Sequence, residues 1–185
     1  MSAELSKMKS VAIEDPNPSR RKRLVEKIYA YLDDRASMAE LKGFKREDLF
    51  ALAEAGHVRL QHGRLDEAEK IFQALLILDH RNPYVHGAMG AVHQKKGRVV
   101  EAIYEYTQAI YLNKEDILSH VNRGEIYLRN KNYKKAAEDF RAAILLDMSG
   151  HNLWSNRARS LVIAIKRSLE FDRIHPPKKG ITVRN

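Results

Sequence analysis

Three glycines, Gly56, Gly90 and Gly124, recur at an interval of 34 residues. Ala68, Ala102 and Ala136 hold the same interval, as do Phe72, Tyr106 and Phe140, and again Leu78, Leu112 and Leu146. Four registers keeping one spacing over three units do not arise by chance, so the chain is a tandem repeat. No single unit can bury its apolar face alone; its neighbours must cover it. The units run 49–82, 83–116 and 117–150, and each divides at a turn, HGR at 62–64, KGR at 96–98 and NKN at 130–132. Both halves of each unit have helical period. In the second halves, Ala stands four residues before an aromatic, which puts both on one face, the Ala permitting close approach and the ring filling the gap beyond it. A glycine inside a helix costs about 1 kcal/mol relative to alanine, so its recurrence in the first halves marks a close helix crossing. The expected fold class is all-α, with three helix-turn-helix repeats.

The flanks are read from what they could bury. Residues 1–19 contain DPNPS and little apolar material, and are expected to be disordered. A helical region over 20–48 follows, in which Leu24, Ile28, Tyr31 and Leu32 lie along one side of RRKRLVEKIYAYLDDR. That stripe has two uses, docking onto the first repeat or pairing with a second copy. After the repeats, 151–174 reads as one further helix with no partner helix, stopped by His-Pro-Pro, and is expected to cap the array. Its Trp154 stands at a packing position, and Arg157, Arg159, Lys166 and Arg167 are available for an outer face. Residues 175–185 form a basic tail expected to be flexible.

These residues resemble the tetratricopeptide repeats. The likeness covers 49–150 and rests on the Gly, Ala and aromatic registers with Tyr127, Ala109 and Ala143. His80, Lys114 and Met148 stand where the consensus ends each repeat with Pro. The resemblance implies a right-handed superhelix whose first helices line a concave groove. By that geometry Phe50, Ala53, His57 and Leu60 face it from the first unit. Tyr84, Gly87, Ala91 and Gln94 do so from the second, and Leu118, Val121, Glu125 and Leu128 from the third. Leu60 and Leu128 are the positions where burial against neighbours competes most with groove exposure. The wall is mostly apolar, with room beside Gly87 and Ala91, and suits an extended peptide rather than a polyanion. It lacks the Lys, Asn and Arg with which carboxylate-clamping repeat domains hold chaperone tails.

Residues 47–103, with the phrases LFALA, FQALLILDH and GAMGAVHQKKGR, are similar to the class II chaperones of bacterial type III secretion. This second resemblance implies a cytoplasmic chaperone that holds an extended hydrophobic segment of a secreted translocator protein before export. It also implies a homodimer through the N-terminal helix, with Leu24, Ile28 and Tyr31 as the self-association seam. That family is commonly acidic, whereas this chain carries a formal charge of +9.

The charge is spread along the chain, apart from RRKR at 20–23, read as a solvated helix start, so nucleic acid is not the expected partner. The longest apolar runs are five residues, far short of a membrane span. MSAELSKMKS has no signal-peptide core, and the expected location is the cytoplasm. With no cysteine, no phosphate-binding glycine loop and no HExxH, an enzyme is not expected, nor any cofactor or metal. His86 and His120 share the fourth position of their units, where packing and hydrogen bonds between repeats are their expected use. Against the export chaperone stands one other class, a general repeat scaffold for complex assembly that uses a basic surface.

Overall fold

The computed structural model describes residues 17–174. Among them every regular element is a helix. The chain divides into two compact units, Met1–Arg98 and Val99–Asn185, and the division falls inside the middle repeat.

In the first unit, α1 spans Pro18–Leu32. It begins earlier than expected because Asn17 caps it, accepting from the Ser19 and Arg20 amides, with Pro18 at the first position. Asn-Pro-Ser was therefore a start signal and not a disordered stretch; residues 1–16 lie outside the described residues. Arg20 to Arg23 are exposed, so solvent screens the unfavourable dipole. A second short helix, α2, Met38–Lys42, is set by a reciprocal capping box between Ser37 and Glu40. Gly43, at φ 78°, ends it, and the Phe44 amide reaches back to the Ala39 carbonyl at 2.9 Å. Ile28 and Leu41 are buried together, with Leu24, Tyr31 and Met38 packed around them.

The first repeat pairs α3, Arg46–Gln61, with α4, Leu65–Leu78, and α5, Pro83–Lys95, packs on both. Its core holds Phe72, Ala68, Leu60, Leu75, Val85, Met89 and Val92. The expected close crossing is present. A Cβ on Gly56 would lie 2.9 Å from the Phe72 ring.

In the second unit, α6, Val99–Leu112, packs on α7, Ile117–Arg129, which pairs with α8, Tyr133–Leu146; α9 spans Leu153–Ile174. Phe140, Ala136, Ala143, Val121 and Ala158 form one core and Tyr106, Ala102 and Ile126 another. Each fully buried ring contributes about 1.5–3 kcal/mol. Gly124 repeats the Gly56 device, with Phe140 2.8 Å from a would-be Cβ. Capping falls to Ala158, Leu161, Val162 and Ile165 rather than to Trp154, which sits in the exposed first turn of α9. Arg159 turns inward to the Asp147 carbonyl, whereas Arg157 stays exposed while bonding Glu125, and Lys166 and Arg167 are exposed as well. The expected tail, 175–185, lies outside the described residues.

Candidate peptide-binding site

A cleft of about 670 Å³ opens in the first unit. One wall comes from α3, with Leu49, Phe50 and Ala53, and another from the start of α5, with Tyr84 and Val85. The third is the α2 segment, whose left-handed Gly43 brings Phe44 to the rim. Leu75 of α4 also lines it. Phe50 is 67% and Tyr84 49% exposed, a large apolar area left open to solvent.

The α2 wall is held by a latch between loops. Asp34, in the left-handed region at φ 56°, presents its carbonyl to the Arg81 guanidinium. Its carboxylate lies 3.4 Å from His80 Nε2 and 3.8 Å from Arg81 Nη1. Arg81 is fixed in turn by Asp79, which accepts its backbone N–H at 3.2 Å. Arg35 and Arg46 join Arg81 on the lining, against Glu40, Glu54 and Asp79. Loss of solvent and then the Glu54 charge raise the Tyr84 phenol above its usual range, so it stays a neutral donor. Hydrogen bonds from the Ser37 backbone and hydroxyl hold Glu40 below the usual carboxylate range despite its partial desolvation. Aromatic walls with a mixed-charge rim suit an extended chain bearing apolar side chains.

Of the expected groove positions, Phe50, Ala53 and Tyr84 come together here. His57, Gly87 and Gln94 are half-buried. Leu60 is buried in the core, its carbonyl accepting from Lys95 Nζ at 3.1 Å. Ala91 is half-buried and packs against the same core. In the second unit Leu118 is exposed and Leu128 packs on the core, while Val121 is fully buried there. Glu125 is buried, held by two hydrogen bonds from Arg157 and lying 3.9 Å from Arg129. Its charge is thus committed to α9. Sequence reasoning missed Phe44 and the arginine rim; Ser37-x-x-Glu40 followed by Gly43 was the available signal.

His86 and His120 are hydrogen-bonded structural groups. His86 Nε2 donates to the His80 carbonyl at 2.9 Å. His120 finds its partner inside its own repeat rather than across a repeat boundary, donating to Asp139 at 3.2 Å, where Arg123 also binds at 2.7 and 3.0 Å. Among the described residues, no group of three or more His, Asp or Glu is placed to hold a metal.

Two family models described as Tetratricopeptide repeat match residues 53–117 and 117–149, over half the chain together. The chain belongs to the tetratricopeptide repeat family. Among curated relatives of this repeat protein, the Low calcium response locus protein H of Yersinia pestis is 26% identical over 139 residues, 74% of this chain and 81% of the relative. A type III secretion complex from Aeromonas hydrophila superposes with a TM-score of 0.70 at 28% identity, over 77% of this chain and 97% of that one. The Yersinia enterocolitica chaperone SycD, solved with a peptide of the translocator YopD, gives a TM-score of 0.62 at 25% identity, over 67% and 96%. Among the described residues, no helix of this repeat protein is long and apolar enough to cross a membrane.

Proposed function

We propose that this protein is a translocator chaperone of type III secretion: in the bacterial cytoplasm it holds an extended apolar segment of a secreted protein in the cleft beside Phe50 and Tyr84. The observation that carries the reading is that two aromatic rings lining one cleft, Phe50 and Tyr84, are left largely open to solvent. Leaving such area exposed to water is unfavourable until a partner covers it, and the likeness to a chaperone solved with a translocator peptide supports the kind of partner. The role is binding, not catalysis. Arg35, Arg46 and Arg81 orient backbone carbonyls or acidic client side chains, while the rings take the apolar ones.

Co-expression tests it. Each translocator-type protein of the same genome is produced with the wild-type chain or with Phe50→Asp. Wild type is expected to keep one client soluble and copurify with it, and the variant to lose that client. If no such protein copurifies, or Phe50→Asp retains it fully, the reading fails.

A further inference from the structure

The charged groups on the cleft lining are not all matched. Arg35 donates to the Asp33 carboxylate at 2.8 Å. Arg81 gives its guanidinium to the Asp34 carbonyl and lies 3.8 Å from the Asp34 carboxylate, and its backbone N–H engages Asp79. The charge of Arg46 acts on Glu40, whose carboxylate is otherwise held by Ser37. Each arginine therefore has an acidic counterpart. Glu54 has no cationic one: exposed on the lining, its carboxylate makes no hydrogen bond or ion pair among the described residues. The group its charge reaches is the Tyr84 phenol, raised first by loss of solvent and then by Glu54. On α3, Phe50 stands one turn before Glu54, and His57, on the turn after, is half-buried and makes no ion pair with it. Arg46 is eight residues back, about 12 Å along the helix axis, and Glu47 lies off the lining.

An open carboxylate beside two open aromatic rings selects a cation. The ring faces attract an ammonium or guanidinium, and the carboxylate pairs with it. The aliphatic stem of lysine or arginine packs on the rings as an apolar side chain would, so such a residue fits inside an otherwise apolar segment. An acidic side chain at this end of the cleft would be repelled by Glu54. A purely apolar one would cover the rings but take Glu54 out of water without pairing it, which is unfavourable.

We propose that Glu54, with the Phe50 and Tyr84 rings, receives a lysine or arginine side chain carried within the apolar client segment, and so selects which segment the cleft takes. This rests on the chaperone reading for the occupant of the cleft. Three fluorescent peptides of roughly ten residues, kept extended by interspersed proline, differ only in one central residue, lysine, leucine or glutamate, among apolar neighbours. Each is titrated into the full chain. The lysine peptide is expected to bind about tenfold more tightly than the glutamate peptide, against the direction of the net charge of +9, and more tightly than the leucine peptide. Glu54→Gln is expected to bring the lysine and glutamate peptides within about twofold of each other. Glu54→Lys is expected to reverse their order, the glutamate peptide then binding more tightly than it does to wild type, which a misfolded variant could not do. A leucine peptide that binds wild type most tightly, with an order that Glu54→Lys leaves as it was, overturns the proposal and makes the rings a plain apolar pocket. In that event Phe50→Asp still weakens the leucine peptide if the chaperone reading holds; binding of all three peptides that ignores Phe50→Asp overturns both.

Discussion

Lys131 occupies the turn position that Gly97 and Gly63 fill one and two repeats earlier, and all three have positive φ, 58° for Lys131 against 75° and 74°. A side chain in that region is strained where glycine is not. Lys131→Gly is therefore expected to stabilise the second unit by about 1 kcal/mol in chemical denaturation, the gain limited by the freer unfolded chain. Gly124→Ala runs the other way: a Cβ 2.8 Å from Phe140 forces the ring to move, at about 1–3 kcal/mol. Asp139 supplies a pH test. Burial alone would raise its carboxyl, but hydrogen bonds from His120 and Arg123 outweigh that and hold it below the usual range. A depressed folded pKa gives stability that is present above the unfolded value, about 4, and is lost as pH falls through the folded one. Melting temperature should drop on that acid side, and Asp139→Asn, which leaves Arg123 without its charge partner, should cost about 3 kcal/mol at neutral pH and flatten the drop.

The helices of the repeats were legible because their 34-residue registers report packing directly: Ala68, Ala102 and Ala136 are all fully buried, as are Phe72, Tyr106 and Phe140. The N-terminal elements were less so. No repeat covers them, and α2 is only five residues, stabilised by a capping box and by tertiary contact rather than by periodicity. Half of the cleft suffered for that reason: Phe50 and Tyr84 follow from register, whereas Phe44 and Arg81 reach it through loops whose docking no local pattern encodes. A small residue on a first helix, such as Ala91, reads equally as a pocket or as a close contact, and it packs on the core while staying half-buried. For α1, the residues expected as a self-association seam have a different position, Ile28 lying beneath Leu41, while Val25, Tyr29 and Leu32 are exposed. Ile28→Asp should accordingly undock α1 and lower stability by about 3 kcal/mol. Tyr29→Asp should leave the melting curve unchanged, and if the chain dimerises through α1 it should shift sedimentation toward monomer.

At the scale of the molecule, a strongly basic chain invites the reading that charge does the binding, and the cleft argues for apolar capture instead. Its lining mixes Arg35, Arg46 and Arg81 with Glu40, Glu54 and Asp79, so no net field distinguishes it. Two surfaces therefore make opposite predictions about salt. Basic-surface binding weakens steeply as ionic strength rises, while burial of apolar side chains between Phe50 and Tyr84 does not. The decisive measurement is the affinity of the copurifying client for wild type, for Phe50→Asp with Tyr84→Asp, and for Lys178→Glu with Lys179→Glu, each at low and high salt with a melting curve beside it. Capture in the cleft predicts a loss of roughly thirtyfold or more, about 2 kcal/mol, in the aromatic variant at both salts with melting unchanged, and near-normal binding in the lysine variant. Full affinity in the aromatic variant, with loss confined to the lysine variant at low salt, would contradict it.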